Sequence, residues 1–333
     1  MEELLAGMRA AAETTRVRIL FVLSHGEVNV SELTQILGQS QPRVSRHLKL
    51  MTEAGLVTRH KEGNWVLFRL RDDGLGGALA RALVELLPGA SAELARDLSR
   101  LEDIRTQRAE IASEYFRNNA PRWEELRSLH VREENVEQAL LSLAGTTPVR
   151  LHVDLGTGTG SLLRYFVPIA AQSIGIDQSR DMLAIARLNI ERAGLRSVQV
   201  RHGDIYALPF ADASCDFITI HQVLHYLDDP GRALNEAARI LSPGGRLLIA
   251  DFAPHGLEQL RNNHAHRRLG IAAEHMTAWL QRAGTRLIQH DVLPPPWRKD
   301  ETGLTVSLWL AEKSANAGQS QFSKLLTQLE PAK

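Results

Sequence analysis

The chain has 333 residues, and its 39 Lys and Arg balance 39 Asp and Glu to a formal net charge of zero, so any affinity for nucleic acid must come from a local patch. At 44% hydrophobic and 23% charged it is ordinary globular material, with length for two or three domains. Cys215 is the single cysteine, which excludes intrachain disulfides and any multi-cysteine zinc or arsenic site.

No apolar run approaches the roughly 18 residues of a membrane span, and residues 1–20 lack a signal-peptide pattern. A cytoplasmic protein without a membrane partner is expected. Residues 1–73 read as helices followed by a β-hairpin. Val17, Ile19, Leu20 and Leu23 mark a helix stopped by His25-Gly26. Ser31 is placed to cap a short helix (Leu33, Ile36, Leu37) ending at Gly38. Ser40 is placed to cap the next, with Pro42 in its first turn, where a missing N–H costs nothing. Val44, Leu48 and Met51 give that second helix one apolar stripe. Leu56–His60 and Asn64–Leu70 alternate like strands around a turn at Lys61-Glu62-Gly63.

Residues 74–147 read as mostly helical, a linker or dimerisation segment. Pro88-Gly89 divides them, and Ser91 is placed to cap a long helix with the stripe Leu94, Leu98, Leu101, Ile111 and Tyr115, broken at Asn118–Pro121. The pattern leaves a packed spacer and a dimerisation helix equally open. From Val149 short apolar strands alternate with helices. The strands are expected at Leu151–Leu155, Ser173–Ile176, Val198–Arg201, Asp216–Ile220, Arg246–Ala250, Arg286–His290 and Leu304–Leu310. Asp181–Ala193 and Gly231–Leu241 read as helices between them. This alternation predicts an α/β domain over 148–313, a mostly parallel sheet covered on both faces. The Ser-, Ala-, Asn- and Gln-rich tail, 314–333, is expected to be flexible.

A helix that reads DNA points hydrogen-bonding side chains at base edges while its apolar stripe holds it to the domain. Gln41, Arg43, Ser45, Arg46 and Lys49 lie off the Val44/Leu48/Met51 stripe. Between residues 41 and 71, seven Lys and Arg stand against Glu53 and Glu62, a local excess of five positive charges in a neutral chain. That is the footprint of phosphate contact; the plain alternative is a small helical domain with a solvated basic face.

The run Gly38-Gln-Ser-Gln-Pro-Arg-Val-Ser-Arg-His-Leu-Lys-Leu-Met51, followed by Glu53-Ala-Gly-Leu-Val57 and the hairpin, closely resembles the arsenic-repressor (ArsR) family of winged helix-turn-helix regulators. Those proteins dimerise and bind palindromic operators. The resemblance covers about residues 1–75. It implies that Gln41, Arg43, Ser45 and Arg46 enter the major groove, and that Arg59 and Lys61 of the wing approach backbone or minor groove. Double-stranded operator DNA and a second copy of the chain are the implied partners. Metal-sensing members carry two cysteines in the segment aligning with Glu27–Leu33. Asn29 and Ser31 stand there instead, so thiolate capture of a soft metal is not expected.

The second motif is Asp154-Leu-Gly-Thr-Gly-Thr-Gly160. A strand running into Gly156-x-Gly158-x-Gly160 lets backbone approach a ligand closely and is expected to deliver a helix N-terminus beside it. Asp177 follows the next strand, 21 residues after Gly156, where a carboxylate can take both ribose hydroxyls. Asp204 follows the third strand, in reach of an adenine amino group. Dinucleotide sites favour G-x-G-x-x-G because a helix dipole must hold pyrophosphate. Here the spacing is G-x-G-x-G behind the acidic Asp154, so a cationic, phosphate-free adenosine ligand fits better, with NAD the weaker reading.

In order, Val153–Gly160, Ile174-Gly-Ile-Asp-Gln-Ser179, Gly203-Asp204, Asp216–His225 and Ile240–Ile249 resemble the class I S-adenosylmethionine methyltransferases of the small-molecule type, over about 149–255. Their fold is a Rossmann-like seven-stranded sheet with the last strand antiparallel. The resemblance implies S-adenosylmethionine or S-adenosylhomocysteine as ligand, held at Asp154, Gly156, Thr157, Gly158 and Gly160. Asp177 would meet ribose, with Gln178 also at the cofactor; Asp204, Ile205 and Met182 would meet adenine. His221 would lie near the methionine end, and Tyr115 would cover the site.

No catalytic residue is assigned. Methyl transfer needs mainly an aligned nucleophile, and a base only where that nucleophile must first lose a proton. His221 and His225 are candidates for such a base, although a histidine near a strand end is more often structural. The Asn/Asp-Pro-Pro-Tyr box of amino-group DNA methyltransferases is absent, and one cysteine disfavours arsenite as substrate. Histidines spaced two apart in His255–Arg268 do not share a helix face, so no metal site is expected. Two functions remain: a DNA-binding regulator whose adenosyl ligand is an effector, or an active small-molecule methyltransferase that also binds DNA.

Overall fold

The apolar stripes of the first hundred residues close on one another as short helices around a three-stranded sheet, and those after Val149 close as a second, larger sheet. In the computed structural model the residues described are 1–62, 65–71, 73–88, 91–123, 133–295 and 303–314. They fall into two compact units, one of residues 1–112 with 256–263, the other of 113–255 with 264–333. The division lies inside one helix, within the segment 74–147 read from sequence as a linker. The tail from residue 315 and the turn residue Gly63 lie outside the described residues.

The first unit begins with α1 (Glu2–Ala11) and α2 (Thr14–Ser24), then β1 (Val28–Asn29), α3 (Val30–Leu37) and α4 (Gln41–Glu53). The hairpin follows as β2 (Val57–Glu62) and β3 (Trp65–Leu70), then α5 (Gly74–Glu85) and α6 (Ala92–Asn119). β3 lies between β1 and β2, antiparallel to both. Ile19, Leu20, Leu33, Ile36, Val44, Leu48, Met51 and Leu56 are essentially solvent-free and form the core.

Three local expectations change. α3 is capped by Asn29, not Ser31: the Asn29 side chain accepts from Glu32 N, and the Glu32 carboxylate accepts from Asn29 N. That reciprocal pair satisfies two orphan donors, which a single serine does not. Lys61 and Glu62 continue β2 rather than turning. In α6, Leu94 and Leu101 are buried but Ile111 is 58% exposed, since it lies roughly 100° round the helix from Leu94.

α6 is built into the first unit by charge-assisted bonds. Arg18 of α2 donates to Asp97 through Nε (2.6 Å) and Nη2 (2.7 Å), and to the Leu37 carbonyl at 3.1 Å. Arg100 donates to the Ile36 carbonyl at 2.8 Å, so two guanidiniums close the C-terminus of α3. Arg108 pairs with Glu32, the capping residue at the other end of α3. The helix left open as spacer or dimerisation element is thus a structural member of this unit.

The second unit takes the end of α6, a 3₁₀ turn (Ala120–Arg122) and α7 (Glu133–Ala144), then β4 (Val149–Leu155), α8 (Leu163–Phe166), β5 (Ala170–Asp177), α9 (Arg180–Arg192) and β6 (Val198–His202). β7 (Cys215–His221), a 3₁₀ turn (Leu224–Tyr226), α10 (Pro230–Ile240) and β8 (Leu241–Phe252) follow. The unit ends with α12 (Ala273–Arg282), β9 (Thr285–Leu293) and β10 (Val306–Lys313); α11 (Glu258–Asn263) belongs to the first. All seven expected strands are present, in the order β6-β5-β4-β7-β8-β10-β9, with β10 antiparallel to both neighbours. The chain reverses direction across the sheet between β4 and β7. In open α/β sheets the crevice outside the carboxyl ends of such a strand pair is where ligands bind.

Candidate functional site

On α4, Gln41, Arg43, Ser45, Arg46 and Lys49 are all exposed, while Val44, His47, Leu48 and Met51 are buried. Arg59 and Lys61 share one exposed face of β2, two residues apart. The charge excess is smaller than the sequence window implied. Arg69 meets Glu27 at 3.8 Å, Arg71 meets Asp73 at 2.9 Å, and Arg43 meets Glu13 at 3.7 Å. Arg46, Arg59 and Lys61 are exposed and make no ion pair among the described residues. His47 was not singled out from sequence. Its buried ring faces Glu13 at 3.9 Å, and burial lowers its pKa.

At the other site, the loop after β4 is tied to β5: Gly156 N and Thr157 N both donate to the Ile176 carbonyl, at 2.8 and 3.0 Å. Gly156 has φ +72°, and a Cβ there would stand 2.4 Å from Val223, so the loops after β4 and β7 touch only because it is glycine. Gly158 and Gly160 also have positive φ. The helix expected next is a single turn, α8, so the donors at this loop are its own backbone N–H groups rather than a helix terminus.

Asp177, partly buried at the end of β5, accepts from Gly158 N and Ser179 N, each at 2.8 Å. Burial pushes its carboxyl above the usual carboxylate range despite those donors. Each oxygen retains a lone pair for a hydroxyl. Asp204 is exposed and accepts from Tyr206 N at 2.9 Å; Ile205 packs against the sheet core, and Gln178 is exposed. Met182 is 2% exposed and offers little free surface.

Asp154 is committed beneath the loop. It accepts from Thr219 Oγ1 at 2.5 Å, Thr219 contacts His152 Nε2 at 2.9 Å, and His152 Nδ1 contacts Ser173 Oγ at 3.2 Å. Since Thr219 spends its proton on Asp154, Nε2 of His152 must donate to it, and Nδ1 accepts from Ser173. Burial lowers the His152 pKa to about 3, so this chain of polar groups across β5, β4 and β7 is neutral at its centre.

Several buried polar atoms at this edge have no hydrogen-bond partner among the described residues: Thr157 Oγ1, Gln222 Nε2 and His225 Nε2. Gln222 also has φ +55°, strained for a residue with a side chain. Sequence reasoning passed over Gln222. It also passed over an aromatic group beside the loop. Phe116 lies edge-on to Trp123 (5.4 Å between centroids) and to Tyr226 (4.9 Å), and Trp123 Nε1 comes within 3.7 Å of where a Cβ on Gly158 would be. Tyr115, the aromatic singled out, contacts His264 Nδ1 through its hydroxyl at 2.9 Å. His221 ends β7, half-buried.

Comparison with known proteins finds a family for each of the two regions. Residues 13–59 match the bacterial regulatory protein arsR family, and residues 153–249 match the family described as methyltransferase domain. The chain joins an ArsR-family helix-turn-helix to a methyltransferase domain. An uncharacterized methyltransferase, YcgJ of Bacillus subtilis, is 34% identical over 103 residues, 31% of this chain and 41% of that protein. The demethylmenaquinone methyltransferase of Thermus thermophilus is 42% identical over 105 residues, 31% of this chain and 47% of that protein. A chain from the Haloferax volcanii complex of the Trm112 methyltransferase activator with a methyltransferase has the same fold. Its TM-score is 0.50 at 22% identity, covering 60% of this chain and 97% of that one. The chain spans about a third to a half of the length of the curated relatives it matches.

The ArsR-family domain is a DNA-binding module, and the methyltransferase domain binds S-adenosylmethionine or S-adenosylhomocysteine. The residues present fit that ligand. Glycines permit close backbone approach at Gly156 and Gly158, a carboxylate with spare lone pairs waits at Asp177, and unpartnered Thr157 and Gln222 await polar contacts.

Proposed function

We propose that this protein is a transcriptional regulator that binds palindromic operator DNA as a homodimer in the cytoplasm, with the adenosyl ligand as its effector. Gln41, Arg43, Ser45, Arg46 and Lys49 would read or grip the major groove, and Arg59 and Lys61 the flanking backbone or minor groove. In the methyltransferase domain Gly156, Gly158 and Gly160 with Asp154 and Thr157 would form the loop around the ligand. Asp177 and Gln178 would bind ribose, Ile205 and Asp204 with Met182 would frame adenine, and His221 would face the methionine end. No helix of the described residues is long and apolar enough to cross a membrane, which accords with a DNA-binding role.

One observation carries the effector reading. α6 supplies Asp97, Arg100 and Leu101 to the first unit and Tyr115 and Phe116 to the aromatic group of the second. A ligand that repositions Phe116 therefore acts on a helix bonded to both ends of α3. It shifts operator affinity by its differential affinity for the two arrangements.

The test is operator retention by the full chain with S-adenosylmethionine, with S-adenosylhomocysteine and with neither, alongside an assay for methyl turnover. Ligand-dependent change in retention supports the regulator. Turnover with retention indifferent to both compounds supports the second reading, a methyltransferase that also binds DNA, which the pairing of His225 with Asp251 favours.

A further inference from the structure

Resting on the adenosyl-ligand reading, we propose that the second unit also holds a methyl-acceptor subsite, in which His225 Nε2 takes the proton of a phenolic or enolic hydroxyl. His225 lies in the 3₁₀ turn after β7, and Asp251 near the end of β8, the next strand of the sheet. Both side chains are essentially solvent-free, and His225 Nδ1 meets Asp251 Oδ1 at 2.7 Å. Asp251 also accepts from Phe252 N at 2.8 Å, which fixes the carboxylate. In a neutral ring whose Nδ1 donates to the Asp251 carboxylate, Nε2 is the lone-pair nitrogen. That nitrogen is buried with no partner among the described residues. A buried acceptor left without a partner is destabilising, and a ligand hydroxyl is the group that relieves it.

The surroundings select the ligand's shape and acidity. The imidazole is walled by Tyr226 (4.0 Å between centroids), His266 (4.3 Å) and Phe252 (4.8 Å), and Phe116 packs on Tyr226 from outside. Flat rings fit between flat rings. An imidazole is a competent base for a hydroxyl that ionises near 10, as a phenol does. It is a poor one for a hydroxyl ionising near water's roughly 15.7, where aliphatic alcohols lie. A neutral amine already offers its lone pair and leaves the base without a task. His266 closes one side of the imidazole, and backbone strain flanks it. Gln222, three residues before His225, and Ala265, next to His266, both have φ +55° without being glycine.

The chemistry balances without a further reagent. The acceptor's O–H bond breaks and its proton goes to Nε2, while the oxygen's electron pair forms the O–CH3 bond. The S–CH3 bond of S-adenosylmethionine breaks with its pair left on sulfur, giving neutral S-adenosylhomocysteine, and the imidazolium returns its proton to water. Asp251 acts through His225 and is a positioning residue.

The decisive experiment uses the full chain labelled with 15N-histidine and saturated with S-adenosylhomocysteine, so that no turnover occurs. The expected spectrum shows His225 with its hydrogen on Nδ1, assigned by loss of the signal in His225→Gln, and an Nε2 resonance that moves on addition of phenol but not of benzylamine. Asp251→Asn, a second variant, should shift the hydrogen between the two nitrogens. With S-adenosylmethionine instead, methyl transfer to phenol should fall at least about 100-fold in His225→Gln, with ligand affinity preserved. A hydrogen on Nε2 in the wild-type chain, a resonance indifferent to phenol, or transfer preferring benzylamine overturns the proposal. Failure of S-adenosylhomocysteine to bind at all overturns the reading beneath it instead.

Discussion

In the first unit, Arg46, Arg59 and Lys61 stand exposed, while the buried guanidinium of Arg18 is held by Asp97, Glu93 and the Leu37 carbonyl. In the second, polar groups lacking partners gather at one edge of the sheet, at Thr157, Gln222 and His225, above a buried chain in which Asp154, Thr219 and His152 satisfy one another. The first unit partners its buried Arg18 charge, although His47 and Gln39 there also hold buried atoms without a hydrogen-bond partner among the described residues, and it carries its unpaired cations on the surface. The second leaves interior groups unmet at a crevice, which suits a small ligand that is engulfed.

The largest effect should come from breaking the buried Arg18–Asp97 pair. Asp97→Ala leaves the Arg18 guanidinium with Glu93 and the Leu37 carbonyl alone, and removing one partner of a buried pair costs about 3–5 kcal/mol. Chemical denaturation should show the first unit losing that stability while calorimetry on the second finds adenosyl affinity unaltered. Next, Asp177→Ala should weaken binding of S-adenosylhomocysteine by roughly 1.5–3 kcal/mol for each charge-assisted bond lost. An unchanged calorimetric isotherm would remove Asp177 from the ribose site. Because burial raises its pKa in the free protein and ribose hydroxyls would favour the ionised form, binding at a pH near or below that raised value should release a proton. Affinity should then fall as pH drops through that raised value, and Asp177→Asn should flatten the profile.

Arg46→Ala should cost about 1–3 kcal/mol in operator binding, by fluorescence anisotropy, and leave the adenosyl site untouched. Equal loss at both sites would mean that the two units do not divide the work. A pair of glycines sharpens the second half of the contrast. Gly156→Ala meets both a positive φ and Val223 at 2.4 Å, whereas Gly194→Ala meets a positive φ of 64° and nothing within 4 Å. The second should cost only the roughly 1–2 kcal/mol of the left-handed backbone, and the first should additionally abolish ligand binding. The smallest effect is expected at Lys49→Ala: stability within about 0.5 kcal/mol, and a salt dependence of operator binding shallower by about one phosphate contact.

What could be read in advance was local in the chain. The apolar stripe of α4, all seven strands of the large sheet and the glycine loop each declare themselves within about ten residues. Much of what escaped notice depends on residues outside the segment being read. Glu13, Glu27 and Asp73 lie outside the 41–71 window whose charges they offset. Phe116, Trp123 and Tyr226 come together only when the end of α6 meets the turn after β7. His225 was visible as a candidate base, but Asp251, which orients it, sits 26 residues on in another strand. α1 went unread because glycine, alanine and charges dilute its apolar pattern. The Asn29 cap was missed because serine is as good a cap by type, and only the reciprocal bond with Glu32 decides between them.

The central claim is that an adenosyl compound bound in one unit changes how the other holds DNA. Operator affinity of the full chain, measured by anisotropy at one fixed salt concentration with and without saturating S-adenosylhomocysteine and S-adenosylmethionine, tests it most directly. A change of about 5-fold or more with at least one of them, lost in Asp177→Ala, is the result predicted. Identical affinity under all three conditions, with calorimetry showing the ligand bound, would contradict it.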